Sequence, residues 1–313
     1  MDKQLLRTYS DIKSIKIQGA TKIALAVAES LAKYARSLKV KNNGEFIRKI
    51  KSAGKYLLSA RETEPMADNV VEFVIYYLNQ NKDLPLLELK KVLADSVNYF
   101  LELSRKNDEA IIKKGTQLIA SGDNIYTHCH SGTVVKILIG AKKNRKKFQV
   151  FQSETRPLYQ GHKTAVNLIK ANIKDTLIVD SAAASIINGL ADPKVKINKI
   201  IIGCDSISRD GSCVNKIGSY AIALAAKQKN IPVYIATQTL KMNEDAKNLK
   251  MIKVEEREAR EVWDKAPRGL KIFNPAFDRI PAELITGFIT EFGVIEPKKI
   301  FEKVKSEYKF VCD

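Results

Sequence analysis

Asn124-Ile125-Tyr126-Thr127-His128-Cys129-His130-Ser131-Gly132-Thr133-Val134-Val135-Lys136 is where the chain changes rhythm. Its first four residues form a short β-rich run. A polar turn follows, then an apolar helical stretch over about 134–143. This order repeats downstream. The runs 148–151, 176–179, 199–202 and 233–236 each lead into turn residues and, in most cases, a helix-length segment. Alternating strand and helix implies right-handed βαβ units around a parallel sheet. An open sheet of that kind takes its ligand outside the carboxyl ends of its strands.

Upstream of about residue 115 the pattern is helix after helix. Ile23, Val27, Leu31, Tyr34 and Leu38 recur at spacings of three and four, an amphipathic stripe. Val70, Phe73, Val74, Tyr77 and Leu78 repeat it after Pro65, and Leu93, Val97, Phe100 and Leu101 repeat it again. All three stripes read as core packing. The expectation is an α/β protein with a helical domain over 1–115 and a parallel-sheet domain over 116–313.

Composition limits the function without choosing it. An apolar share of 45% and a charged share of 28% over 313 residues exclude wholesale disorder, collagen-like repeats and coiled-coil rods. No stretch approaches the roughly 18–20 apolar residues that span a bilayer. The polar start Met1-Asp2-Lys3-Gln4 runs on without an apolar signal core. A cytoplasmic protein with no membrane partner is expected. The net charge of +18 favours anionic partners: nucleic acid, an acidic protein or phosphorylated metabolites. The dense run Lys142-Lys143-Asn144-Arg145-Lys146-Lys147 reads as a solvated loop. Beyond charge, no motif makes nucleic acid the main partner. Cys129, Cys204, Cys213 and Cys312 form no CxxC pair, so no disulfide framework is expected.

Chemistry gathers just past the strands. Ser131-Gly132-Thr133 opens a helix, whose unpaired N–H groups and dipole can cradle a phosphate, although a lone Ser there is ordinarily a simple cap. Asn215-Lys216 is read as opening a second helix behind Asp210-Gly211, where an ammonium adds full charge to a second anion site. Cys129 sits on a strand-to-helix turn near cationic candidates, conditions that depress a thiol pKa. His128 and His130 flank it, but alternation in an extended segment points both away, which argues against a metal. Asp205 follows an Ile-rich strand as a turn residue or as an acid–base partner for Cys129. Arg156 either pairs with Glu154 or holds an anion.

The set as a whole resembles one family. Thr127-His128-Cys129-His130-Ser131, Glu154-Thr155-Arg156-Pro157 with Gln160-Gly161, Gly203-Cys204-Asp205-Ser206 and Asn215-Lys216-Ile217-Gly218 are similar to motifs of a family of sugar-phosphate aldose–ketose isomerases and regulatory subunits of translation initiation factor 2B. Asn274-Pro275-Ala276-Phe277-Asp278 and Thr290-Glu291-Phe292-Gly293-Val294-Ile295-Glu296-Pro297 extend the likeness nearly to the C-terminus. Within the family the chain resembles the ribose-1,5-bisphosphate isomerases.

The resemblance implies a helical N-terminal domain followed by a Rossmann-like catalytic domain. It implies Cys129 as proton acceptor and Asp205 as proton donor. Gly19, Ala20, Arg61, Ser131, Gly132, Asn215, Lys216 and Lys241 would hold the phosphorylated sugar, supported by Gln18, Thr21, Thr133 and Arg156. The regulatory subunits typically lack the Cys–Asp pair, so its presence favours an enzyme. Gln18 stands where the isomerases usually carry Arg, and Glu62 where a proline is usual. The implied reaction interconverts ribose 1,5-bisphosphate and ribulose 1,5-bisphosphate with no cofactor and no metal, since there is no net redox change. The competing implications are a non-catalytic subunit acting on translation initiation factor 2 and a methylthioribose-1-phosphate isomerase. A homodimer or homohexamer is expected.

Overall fold

The computed structural model describes residues 2–61, 64–252, 254–308 and 310; Glu62 and Cys312 lie outside them. The chain forms two compact units. One comprises Met1–Lys106, Leu240–Glu244 and Glu302–Asp313, and the other Asn107–Thr239 and Asp245–Phe301.

The first unit is helical: α1 (Lys3–Lys13), α2 (Ala20–Ser37), α3 (Asn43–Leu58), α4 (Pro65–Gln80) and the start of α5 (Leu86–Leu118). Local chemistry explains the boundaries. Asp2 and Asn42 cap α1 and α3 through their side chains, and Pro65 occupies the first turn of α4, where no intrahelical N–H partner is needed. The expected stripes are the core. Ile23, Val27, Leu31, Val70, Phe73, Val74 and Leu78 are all buried, and only Tyr77 of the second stripe stays exposed. Gly54 lets α3 approach α4, since a Cβ there would stand 2.6 Å from Val71 Cγ1.

The second unit is built on a seven-stranded sheet. Its strands are β1 (Asn124–Thr127), β2 (Gln149–Ser153), β3 (Lys174–Ile178), β4 (Lys199–Ile202), β7 (Val233–Ala236), β9 (Gly287–Thr290) and β10 (Gly293–Ile295). They lie in the order β10-β9-β7-β4-β1-β2-β3, parallel throughout except for the β10–β9 pair. Helices α6 (Gly132–Lys143), α7 (Gln160–Lys170), α8 (Ala183–Ile187) and α9 (Ser219–Gln228) lie between strands along the chain. Ile125, Val150 and Ile201 from the sheet pack with Val134, Ile137 and Leu138 from α6 and Leu168 from α7 in one core cluster. Lys146, from the basic run, donates to the Thr116 and Ile119 carbonyls where α5 ends, so part of that run is a helix stop.

Two features differ from the sequence expectation. Strands β5 (Ser206–Ile207), β6 (Cys213–Lys216) and β8 (Phe277–Ile280) form a separate antiparallel sheet in the order β5-β6-β8. Asn215 and Lys216 therefore end a strand and do not open a helix. The helix that follows, α9, begins at Ser219, and its first turn is closed by Asp278, which accepts from the Gly218 and Tyr220 amides at 2.7 and 3.0 Å. Asp278 thus occupies two of the amides at that helix start, and Asn215 and Lys216 precede it at the end of β6.

Strand order locates the site. From β1 the chain steps outward through β2 and β3, then returns to the other side of β1 with β4 and continues through β7 and β9. The loops leaving β1 and β4 therefore diverge, and a crevice opens at their carboxyl ends. Cys129 lies two residues past β1 and Asp205 three residues past β4.

Candidate active site

The loop after β1 is held open in an unusual conformation. Cys129 has φ +64°, and Thr155, in the loop after β2, has φ +63°. Left-handed backbone is uncommon for any residue with a Cβ and more so for a β-branched one, with a cost of order 1–3 kcal/mol each. The neighbouring loops supply the restraint. The Cys129 amide donates to Thr155 Oγ1 at 3.0 Å, and its carbonyl accepts from Thr164 Oγ1 at 2.9 Å. Thr155 and Arg156 in turn donate their amides to the two carboxylate oxygens of Asp180, at 2.8 and 2.6 Å. Gly161 lets α7 pass close to this loop, for a Cβ would fall 2.1 Å from the Ser153 carbonyl oxygen.

The two histidines are occupied. Buried His128 lies with its Nε2 2.7 Å from the Ile217 carbonyl and its Nδ1 2.6 Å from Ser153 Oγ. A carbonyl only accepts, so Nε2 carries the proton and Nδ1 receives the serine hydroxyl. Burial, the largest influence, holds this ring below its ordinary pKa, consistent with the neutral tautomer. His130 Nδ1 stands 3.0 Å from Thr164 Oγ1. His128 thereby ties the loop after β1 to Ile217, next to Lys216.

The thiol departs from the sequence expectation. Burial pushes the Cys129 pKa up to about 11, aided by the Asp205 and Asp180 carboxylates and opposed by the Lys216 ammonium and the His130 amide. Desolvation outweighs the cationic neighbour, so the resting group is a thiol and not a thiolate. The same balance shows that Lys216, Asp205 and Asp180 all lie within electrostatic reach of the sulfur. Lys216 Nζ also sits 4.9 Å from the centre of the Phe277 ring.

Other expected residues cluster beside this pair. Ser131 caps α6, accepting from the Val134 amide at 3.3 Å. A Cβ on Gly203 would meet Ser131 Cβ at 2.8 Å and Asn215 Oδ1 at 3.9 Å, so Ser131, Gly203 and buried Asn215 converge. The Asp205 amide donates to the Val214 carbonyl, joining it to the strand that carries Asn215 and Lys216. Gly132 faces open space. Thr133 lies 3.5 Å from Asp108. The Arg156 guanidinium donates to Tyr159 Oη at 2.6 Å and to the Val262 carbonyl at 2.9 Å rather than to Glu154.

Gln18, Gly19, Ala20, Thr21, Arg61 and Lys241 belong to the helical unit. Gly19, at φ +89°, is the cap position of α2 and brings no side chain to its first turn, while a Cβ there would meet nothing within 4 Å. Gln18 is exposed and Thr21 half-buried. Arg61 is 3.3 Å from the buried Glu64 carboxylate. Asn69 donates to the carbonyls of Leu240 and Met242 at 2.8 and 2.9 Å, framing Lys241 from both sides.

Three residues to which the sequence alone gives no role, Asp180, Asp278 and Asn69, hold the backbone of these loops and turns. Each acts on backbone far away in sequence; Asp180 is marked by its place just past a strand and Asp278 by the Asn274–Asp278 motif, while Asn69 carries no mark.

Comparison with known proteins follows the same lines. A model of the initiation factor 2 subunit family matches residues 16–297. Ribose 1,5-bisphosphate isomerase of Methanocaldococcus jannaschii is 37% identical over 293 residues, covering 93% of this chain and 91% of that protein. Translation initiation factor eIF-2B of Pyrococcus horikoshii OT3 superposes with a TM-score of 0.82 at 26% identity, covering 96% of this chain and 99% of the other. The 5-methylthioribose 1-phosphate isomerase of the same organism gives 0.79 at 26% identity, with 96% and 87% covered.

Proposed function

Because the chain belongs to the initiation factor 2 subunit family, we propose that it is a sugar-phosphate aldose–ketose isomerase converting ribose 1,5-bisphosphate to ribulose 1,5-bisphosphate. The observation that carries this reading is a thiol and a carboxylate, Cys129 and Asp205, at the loops flanking the sheet's switch point and within each other's field.

The chemistry follows from the substrate. A pentose whose C1 oxygen is phosphorylated opens only when the bond from C1 to the ring oxygen breaks. Asp205, in its acid form, gives a proton to that oxygen. Cys129, as thiolate, takes the C2 proton, and the electron pair left behind forms the C1–C2 double bond. The C2 hydroxyl then returns its proton to Asp205 while Cys129 delivers its own to C1, leaving a ketone at C2. Protons and electrons balance without a redox partner. Lys216 offsets charge developing on the enol oxygen. Within the second unit the start of α6 at Ser131-Gly132 suits phosphate oxygens, and the +18 net charge suits a doubly phosphorylated substrate.

A substrate panel tests this. Turnover is expected on ribose 1,5-bisphosphate, with at least tenfold lower kcat/KM on methylthioribose 1-phosphate and on a pentose 1-phosphate lacking the 5-phosphate. Equal or higher kcat/KM on a monophosphate overturns the substrate assignment. No turnover on any of them, with capture of translation initiation factor 2, supports the regulatory reading that the likeness to eIF-2B suggests.

The same reading includes a homo-oligomer in the cytoplasm. Among the described residues no helix is long and apolar enough to cross a membrane. Outer strand β3 and adjoining α7 expose Leu177 at 43%, Val166 at 52% and Ile169 at 60%, apolar surface that a second copy would cover. Light scattering is expected to give at least twice the 35.0 kDa chain mass. Leu177→Asp with Ile169→Asp is expected to return the monomer, and a monomeric parent would sink the idea.

A further inference from the structure

We propose that Asp180 is a positioning residue that holds Cys129 in its reactive attitude through Thr155. The proposal rests on the isomerase reading above and adds to it a residue that touches neither the sugar nor the reacting thiol.

Asp180 begins the turn after β3, on the outer side of the sheet from the loop it restrains. Each of its carboxylate oxygens accepts one backbone amide, Thr155 on one and Arg156 on the other. This fixes the direction of two successive peptides, and so the left-handed backbone at Thr155. In that conformation Thr155 Oγ1 accepts from the Cys129 amide while donating to the Ser153 carbonyl at 3.2 Å. The hydroxyl is thus oriented at both ends. Cys129, itself left-handed, is set by this contact and by Thr164. Asp180 also lines a cavity of about 190 Å³ with His128, Ser153 and Gly218. The restraint runs from the loop after β3, through the loop after β2, to the loop after β1.

Asp180 also has a second, opposing influence. The charged groups that act on the Cys129 sulfur are Lys216, Asp205 and Asp180, with neutral His128 and the His130 amide beside them. Removing the Asp180 charge eases ionisation of the thiol, while removing its acceptors spoils the thiol's placement. A purely structural residue would not separate these effects.

The test uses the full chain, with folding checked by circular dichroism. The ionisation of Cys129 is followed as the pH midpoint of its alkylation by iodoacetamide, read on the Cys129 peptide by mass spectrometry. Asp180→Asn is expected to lower that midpoint, yet to lower kcat about 10²-fold with KM changed little, the effect of a misplaced group. Thr155→Val, which keeps the Asp180 charge, is expected to lower kcat similarly without lowering the midpoint. Thr155→Ser is expected to recover most of that loss. If Asp180→Asn does not fold, the Thr155 pair decides. Wild-type kcat in both Asp180→Asn and Thr155→Val overturns the proposal. If the parent turns over no sugar phosphate, the isomerase reading fails separately, and the alkylation midpoint of Asp180→Asn still decides whether Asp180 acts on Cys129.

Discussion

Replacing Cys129 by serine lowers kcat about 10²–10⁴-fold, the range a positioned proton-transfer group supplies. Serine fills nearly the same space and keeps the amide bond to Thr155 Oγ1, so the loop after β1 is preserved. What is lost is a group that can give up its proton in the crevice. Asp205→Asn is expected to cost as much, since the amide keeps the carboxyl's shape but has no acid proton for the ring oxygen. The two residues act in one proton exchange, so the double variant should be little worse than the poorer single one. Steady-state kinetics of the three proteins checks this. Less than a tenfold loss in Cys129→Ser would remove the thiol from the reaction.

The second large effect is a divergence between reactivity and turnover as pH rises. The Cys129 thiol is pushed up to about 11, chiefly by burial. Below that value its thiolate fraction grows tenfold per pH unit, so alkylation by iodoacetamide should accelerate about 10³-fold between pH 7 and pH 10. Turnover should not follow. The productive form carries one proton on Asp205 and none on Cys129. The resting form carries one proton on Cys129. These two forms hold the same number of protons, so their ratio does not change with pH, and kcat/KM stays level over that interval. Working above pH 7 keeps the phosphate groups, with a second pKa near 6, fully ionised. Turnover that climbs in step with alkylation would mean that Asp205 gives no proton.

Much of this could be read from the residues. The spans of β1, β4 and β7 follow the β-rich runs at 124–127, 199–202 and 233–236 to the residue. The helical stripes of the first unit are its core. Buried parallel strands are short apolar runs, and amphipathic helices carry a 3.6-residue period, so both leave local marks. What escaped was non-local. Cys213-Val214-Asn215-Lys216 has no alternation that separates it from a helix start, and its strand character comes from pairing with β8, some sixty residues on. Asp278 reaches the start of α9 from that same strand. The left-handed turns at Cys129 and Thr155 carry no glycine to announce them, because side chains from other loops impose them. The thiol pKa runs against the sequence expectation for a related reason: nearby cations can be guessed from sequence, whereas the extent of desolvation depends on everything packed around the group.

The helical unit takes in Glu302–Asp313 as well as Met1–Lys106. Within it, Phe310 meets Phe73 edge-on at 4.7 Å, and Tyr308 is 8% exposed. In chain order most of this unit precedes the second unit, and its remaining segment follows it. Tyr77, Tyr99 and Phe100 meet Phe73 from α4 itself and from α5, but the edge contact from Phe310 can form only after the residues of the second unit have been made, and until then that edge of the ring is uncovered hydrophobic surface.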